Sequence, residues 1–324
     1  MVREGLSFVS HLPIAMDGSC NGLQLFSLML RDPVGGTAVN LLPADTPQDI
    51  YRLVADKIIA KLERDRTGGE ERLDQEVRTK RTGQALYKPR SVAGLFLSLG
   101  IDRSATKRQV MVLPYYGTRE SCREYTAQWL KEKLFASPQP LPEGCTQFGL
   151  AVYLAGLIWE AIGETVVAAR DAMAYLQSCA TVMSRAGKPI RWTTPSNFPV
   201  LQHYRPVFGH RLKTQVGDQI IYFTLAEESA DPHAVDPARQ RSAMSPNFVH
   251  SLDASALMET VCRCQDHGIA SFAMIHDSYG THAADSAALA RHLRDTFVAI
   301  FGNDHSLNLL EVLRRELMAQ LPLE

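Results

Sequence analysis

Two aspartates constrain this chain more than any other feature. Asp17 ends the apolar run Leu12-Pro13-Ile14-Ala15-Met16, and Asp277 follows the run Ser271-Phe272-Ala273-Met274-Ile275 with His276 between. Short apolar runs bounded by turn residues read as buried strands. Each acid then sits where such a strand gives way to a glycine-containing turn, Asp17-Gly18-Ser19 and Asp277-Ser278-Tyr279-Gly280. If the two strands are neighbours, the carboxylates share one end of a sheet, where bare charges would repel. Divalent cations remove that cost. Magnesium suits the donor set, because it takes oxygen ligands, keeps waters, and uses one or two carboxylates plus substrate phosphates. Two such ions about 4 Å apart activate an attacking hydroxyl and stabilise a leaving oxygen. Taken singly, either acid equally suits a turn cap.

A second pattern lies in residues 101–117. Arg103, Lys107, Met111 and Tyr115 recur at intervals of four, the spacing of one helix face. Two cations, an apolar residue and an aromatic in that order suit an anionic tail with a flat base beyond it. The same face also suits plain solvation, with Arg108 and Gln109 alongside. Pro114 removes a helical N–H and restricts Leu113, so the helix is expected to kink or end there.

The remaining segments set the context. Residues 21–30 read as a helix or a second apolar segment. A helix is expected from Thr46, with Thr46 as N-cap and Pro47 at the first helical position. Residues 63–90 read as a charged connector or exposed helix, 136–146 as a Pro-rich loop, and 149–185 as core helix. Residues 190–222 read as strands, with a hairpin turn at Val216-Gly217-Asp218-Gln219. A polar loop at 227–243 and a helix over 247–266 precede the second acid, and a helix-rich stretch closes the chain.

The 324 residues suffice for one large or two ordinary domains. A net charge of -1 gives no overall basic signature of a nucleic-acid-binding domain, though it leaves room for a local basic channel. Six scattered cysteines lack zinc-site spacing and read as free thiols of a reducing compartment. No signal-peptide form opens the chain, and no apolar run reaches the roughly 18 residues of a membrane span. A cytoplasmic protein with no membrane partner is expected.

Three blocks resemble the catalytic segments of single-subunit RNA polymerases of phages and mitochondria, the bacteriophage T7-type family. They are LPIAMDGSCNGLQLFSLMLRDPVGGTAVNLLP (12–43), DRSATKRQVMVLPYYG (102–117) and SFAMIHDSYGT (271–281). WTTPSNFP (192–199) and SPNFVHSLDAS (245–255) are similar to further family segments in the same order. The resemblance implies an α+β, mainly helical fold: part of a right-hand polymerase, with a palm of antiparallel sheet plus helices and a helical fingers insertion. Residues 1–45 and 246–324 would be palm and 46–245 fingers, including a promoter-reading specificity hairpin at about 205–225. It implies DNA-directed RNA synthesis with two Mg2+ ions held by Asp17 and Asp277. Lys107 and Arg103 would bind the triphosphate, with Lys107 as general acid toward pyrophosphate. Tyr115 would discriminate ribose, and Tyr51 and His250 would line the nucleotide site. Arg211 and Lys213 would touch promoter bases. Partners would be template and promoter DNA, the RNA transcript and ribonucleoside triphosphates, in a phage-infected or prophage-bearing bacterial cell.

Blander readings stand beside these. Tyr51 also suits core packing, His250 a structural histidine, and His276 an orienting neighbour of Asp277. The chain departs from the family at Tyr115-Tyr116-Gly117, where spacing favours Tyr115 as the sugar-discriminating residue and the Tyr-Gly dipeptide favours Tyr116. Only about ten residues precede the first acid-bearing strand, and the chain stops at Leu321-Pro322-Leu323-Glu324 without an aromatic-Ala tail. A truncated reading frame or one half of a split enzyme is therefore expected, weak or inactive alone, with a separate N-terminal half as a possible partner. A family A DNA polymerase fragment and a non-catalytic nucleic-acid-binding remnant are the alternatives.

Overall fold

A computed structural model of the protein describes residues 9–115, 117–302 and 308–321. Tyr116, the alternative sugar-discriminating tyrosine, lies outside them, as does Pro322-Leu323-Glu324 at the chain end. The fold is mostly helical with small antiparallel sheets. It packs into two units, one from the described residues of Met1–Gly18 and Ala172–Glu324, the other Ser19–Asp171.

The Ser19–Asp171 unit holds α1 (Asn21–Leu30), α2 (Pro33–Ala38), α3 (Ile50–Thr67), a hairpin of β2 (Val77–Arg78) and β3 (Ala85–Tyr87), α4 (Pro89–Leu99), α5 (Arg103–Val112), α6 (Arg119–Ala136) and α7 (Gln147–Thr165). Its core forms where α3 packs on α4, α5 and α7. Ile58, Leu62, Phe96, Leu150, Leu154 and Ile158 are fully buried there. Each such side chain contributes about 1.5–3 kcal/mol by leaving water. α7 is long and apolar enough to cross a membrane by length and composition, which corrects the reading of no such segment. Glu160 and Glu164 interrupt the apolar run, and 61% of the window is buried against neighbouring elements. Gly149 is required near its start, because a Cβ there would stand 2.0 Å from the Leu86 carbonyl oxygen.

α3 starts later than the sequence suggests. Its N-cap is Asp49, whose carboxylate accepts from the Tyr51 and Arg52 amides. Thr46 and Pro47 precede the helix. Asp at an N-cap serves as well as Thr, and here it is Asp49 that adjoins the first apolar residue of the stripe, Ile50. Residues 63–90 are likewise structured, comprising the end of α3, a 3-10 turn at Glu71–Leu73 and the β2–β3 hairpin.

α8 (Val167–Arg185) spans the boundary between the units and, with α7, makes the 149–185 stretch helical. The other unit continues with the hairpin β4 (Ile190–Thr193) and β5 (Pro199–Gln202), the long ribbon β6 (Val207–Val216) and β7 (Gln219–Glu228), α9 (Pro237–Asp266), β8 (Ala273–Ile275), β9 (Ser278–His282), α10 (Ser286–Phe301) and α11 (Leu309–Met318). β1 (Pro13–Asp17) joins β9 and β8 in a three-stranded antiparallel sheet of order β1-β9-β8.

Register explains how that sheet is covered. Met16, Tyr279 and Met274 stand opposite one another across the three strands. Alternation sends them to one face, where they pack with Cys264, Ile269 and Leu289. β1, which ends in Asp17, and β8, which precedes Asp277, are the edges of this sheet and are otherwise largely exposed, not the buried strands expected. Only the central β9 is buried at Tyr279, Gly280 and Thr281.

α9 begins at Pro237, ten residues before the expected helix. Asp236 caps it by accepting from the Ala238 and Arg239 amides. Pro237 stands at the first helical position, where its missing N–H costs nothing. Pro246 is accommodated inside the helix, and the expected polar loop at 227–243 shortens to 229–236. None of the six cysteines is in a disulfide.

Candidate active site

The structure brings Asp17 and Asp277 to one end of the three-stranded sheet. Asp17 is the last residue of β1 and pairs with Ser278, the first residue of β9. Ser278 also pairs with Ile275, the last residue of β8, so His276 and Asp277 form a two-residue turn. Asp277 therefore lies in the turn before β9, and Gly280 lies inside β9 rather than in a turn. A Cβ on Gly280 would stand 2.5 Å from the Ala273 carbonyl oxygen, which explains the glycine by close strand approach. His276 takes a left-handed φ of 52°, a strained value for a residue other than glycine. The Gly18 amide donates to the Asp277 carbonyl at 3.2 Å and joins the two acid-bearing turns.

The acids interact electrostatically. Burial, followed by the negative charges of Asp17 and Asp253, holds the Asp277 carboxyl above its ordinary range, against the opposing effects of its own backbone amide and His276. Asp17 itself is exposed. The two strands are not neighbours, since β9 stands between β1 and β8, yet the Asp17 charge still bears on Asp277, and a cation bound by both carboxylates would relieve that. Among the described residues no group of three or more His, Cys, Asp or Glu is arranged to hold a metal. Magnesium takes one or two carboxylates and completes its shell with waters and phosphate, so it asks for no such cluster.

His250 lies on α9 one turn before Asp253. Its ring centroid is 6.4 Å from that of His276. Desolvation, reinforced by His276 and opposed by Asp253, lowers its pKa and favours the neutral ring. The buried Asp253 carboxylate stands 3.5 Å from Nδ1 of His276. Asp253 lies in the SPNFVHSLDAS block, where the sequence assigns it no role; its signals are that block and an acid in an apolar helical stretch, three residues beyond His250.

Arg211 and Lys213 lie on β6, away from any hydrophobic core; every residue of β6 and β7 is exposed. Gly217, at φ 59°, and Asp218 make the two-residue turn at the expected place. Alternation gives the ribbon two mixed faces, with Ile220 opposite Gln215 on the one that carries the two cations and with His210, Thr214 and Glu227 among the apolar residues of the other. Arg211, Lys213 and Gln215 share one face with Tyr222 and Thr224, and the Arg211 guanidinium lies 4.5 Å from the Tyr222 ring centroid. Phe208, Leu212, Leu225, Phe223 and Ile221 share the other.

Arg103, Lys107, Tyr51 and Tyr115 belong to the Ser19–Asp171 unit. α5 buries Ala105, Thr106, Gln109 and Val110 and leaves Arg103, Lys107 and Met111 exposed. The four-residue spacing ends there, because α5 stops at Val112 and Leu113–Tyr115 is a 3-10 turn. Arg103 is ion-paired through Nε to Asp49 at 2.7 Å and its guanidinium lies 5.0 Å from the Tyr51 ring centroid. Tyr51 is buried, and that burial, with Cys20 beside it, raises the phenol above its usual range. Its carbonyl accepts from Thr106 Oγ1 at 2.7 Å, which ties α3 to α5. Gly22 was also missed by the sequence reading. A Cβ on it would meet Pro114 Cβ at 2.7 Å and Tyr115 Oη at 3.1 Å, so glycine lets the turn bearing Tyr115 lie on α1.

The chain matches the family model described as DNA-dependent RNA polymerase over residues 2–323. It belongs to that family. Within the family it is of the phage-type, single-subunit kind. It is 40% identical over 321 residues to T7 RNA polymerase of Escherichia phage T7, covering 91% of this chain and 35% of that protein. It is 39% identical over 323 residues to the DNA-directed RNA polymerase of Enterobacteria phage K11, with 92% and 35% covered. It is 36% identical over 293 residues to DNA-directed RNA polymerase 2A of Nicotiana tabacum, with 90% and 80% covered. The chain thus spans about a third of the length of these phage polymerases.

Proposed function

We propose that the chain carries catalytic residues for nucleotidyl transfer, in which the 3′ hydroxyl of RNA attacks the α-phosphorus of a ribonucleoside triphosphate under a DNA template. The observation that carries this reading is the pair Asp17 and Asp277, brought to one sheet end in a chain of the DNA-dependent RNA polymerase family. Asp17 and Asp277 are the residues that would hold Mg2+, which when bound supplies charge neutralisation at the reacting phosphate. Arg103 and Lys107 bind triphosphate oxygens, and Lys107 donates the proton that pyrophosphate needs on leaving. For Arg103 this means exchanging the Asp49 carboxylate for phosphate, a swap of one anion for another at a guanidinium. Tyr115 borders the sugar, Tyr51 supports the nucleotide site through Arg103, and the neutral His250 meets sugar and base.

The β6–β7 ribbon reads promoter DNA with the face that carries Arg211 and Lys213. Arg and Lys there suit guanine edges, and a two-stranded ribbon fits a major groove. The palm on this reading is 1–45 with 246–324, and the fingers 46–245. That functional division is cut at other points than the packing, which parts after Gly18 and after Asp171. The names of the relatives favour ribonucleotide over deoxyribonucleotide substrates.

Primer extension on an RNA–DNA scaffold tests the reading, with the chain alone and with an N-terminal polymerase segment supplied in trans. Magnesium-dependent ribonucleotide incorporation in the supplemented reaction, lost in Asp17→Asn and Asp277→Asn, is the expected result. Incorporation unaltered in both variants would refute the assignment of Asp17 and Asp277, and scaffold binding without incorporation in either mixture would leave a non-catalytic nucleic-acid-binding role. Robust promoter-dependent transcription by the unsupplemented chain would refute the inference that it is weak alone.

A further inference from the structure

A cavity of about 510 Å³ opens in the unit that carries the aspartates, and no role in the catalysis proposed above uses it. Its lining includes Lys188, Arg191, His203, His233, Leu201 and Gln320, and none of its nine lining residues is acidic. The cations stand on fixed backbone. Gln320 brackets Arg191, accepting from its amide through Oε1 at 3.1 Å and donating through Nε2 to its carbonyl at 2.8 Å. Lys188 follows the end of α8, where its amide bonds to the Met183 carbonyl and the Gly187 amide to the Ser184 carbonyl. Those bonds occupy two of the helix's last acceptors. The far wall is tied as well, for the His203 ring donates from Nε2 to the Ala234 carbonyl at 3.0 Å.

Place and shape narrow the ligand. The wall runs along β5 and the 229–236 loop, at the root of the β6–β7 ribbon, where the Ser229 amide donates to the Pro206 carbonyl and the Asp236 amide to the Tyr204 carbonyl. A concave site of this volume is of the size that takes one small-molecule-sized unit, not the convex side of a duplex. Two permanent cations suit phosphate oxygens, and the two imidazoles and Leu201 provide flat and apolar surface for a sugar and base. We propose that this cavity binds one phosphorylated nucleotide unit, with Lys188 and Arg191 on the phosphate and the histidine rings against the base. Choosing a nucleotide among anions rests on the polymerase reading, and the ligand is either a free nucleotide or one unit of a single strand.

Fluorescence anisotropy of a short labelled oligoribonucleotide on the full chain tests this, in chelator so that no catalytic metal takes part. The Lys188→Gln/Arg191→Gln double variant should bind about tenfold more weakly. Its salt dependence should flatten by about 1.4 in log–log slope, the share of two phosphate contacts on a single strand. An Arg211→Gln/Lys213→Gln variant serves as comparison, and the cavity effect should persist in its background. A competing mononucleoside monophosphate separates the sources. Displacement of the oligonucleotide by it, lost in the cavity variant, assigns a free nucleotide; a cavity effect without displacement assigns a strand. Unchanged affinity and slope in the cavity variant overturn the proposal, whatever the fate of Asp17 and Asp277. Acylation of the unsubstituted protein gives a readout independent of variant folding. Bound oligonucleotide should protect Lys188 but not Lys131, and equal modification rates with and without it would again overturn the site.

Discussion

The main-chain amide of Gly18 donates to the main-chain carbonyl of Asp277 at 3.2 Å. The residue after one acid is thereby bonded to the other acid, at the point where β1 and β9 end their ladder. The bond couples the two turns without using either carboxylate, so both side chains remain available as ligands.

That arrangement carries a prediction about charge. Because burial and Asp17 raise the Asp277 pKa in the fold, the folded state holds a proton there that the unfolded chain releases first as pH rises. Metal-free stability therefore falls as pH climbs from the ordinary aspartate pKa through the raised one, and the penalty is complete above it. Asp277→Asn should remove the penalty, leaving the metal-free chain at least as stable as the parent at neutral pH. Magnesium should stabilise the parent and not the variant. Thermal melts across pH with and without magnesium check this; a variant that gains stability from magnesium as the parent does would contradict it.

Catalysis should respond in the opposite sense to stability. Asp17→Asn or Asp277→Asn should lower nucleotide incorporation by about a hundredfold or more, the scale for removing a preorganised electrostatic stabiliser. Far-UV circular dichroism should stay unchanged, because Asp17 is exposed and Asp277 sits in a turn. Single-turnover extension measures the loss.

Asp49 has two roles that a pair of substitutions separates. It caps α3 and pairs with Arg103. Asp49→Asn keeps a capping side chain and loses the charge, so stability should shift by under about 0.5 kcal/mol. Asp49→Ala loses the cap and should cost about 1 kcal/mol. Both should free Arg103 and tighten ribonucleoside triphosphate binding. Urea denaturation and nucleotide titration read the two effects, and equal stability losses would count against the capping role.

Gly22→Ala should destabilise its unit by about 1–3 kcal/mol, the cost of forcing a methyl into filled space. The methyl would stand 2.7 Å from Pro114 Cβ, so the turn bearing Tyr115 must shift. If Tyr115 selects ribose, discrimination against deoxyribonucleotides should weaken with it. Chemical denaturation and paired incorporation rates test both parts.

On the ribbon, Arg211→Ala should relax promoter preference by about 1–3 kcal/mol at one base position while leaving stability within about 0.5 kcal/mol. Loss of binding to all sequences alike would instead mark Arg211 as a phosphate contact.

The sequence by itself determined the local grammar. The turn at Gly217-Asp218 was legible because a two-residue turn between alternating strands needs a residue at positive φ. The apolar runs before Asp17 and Asp277 marked strands because only short extended segments bounded by turn residues fit that pattern, and the family was legible in the ordered blocks around them. Other features depended on contacts between distant residues. Thr46 and Asp49 are both competent caps, and no local rule chooses between them. Gly280 looked like a turn residue until β8 was seen to pass within reach of its missing Cβ. The same holds for Gly22 beneath Pro114. The runs before Asp17 and Asp277 read as buried because apolarity does not say which strand takes the centre of a sheet. Only pairing puts β9 there, leaves β1 and β8 as edges, and sets Asp253 against His276. Side-chain period and backbone torsion are properties of neighbours in the chain and can be read along it, whereas close approach and desolvation depend on which distant segments the fold brings together.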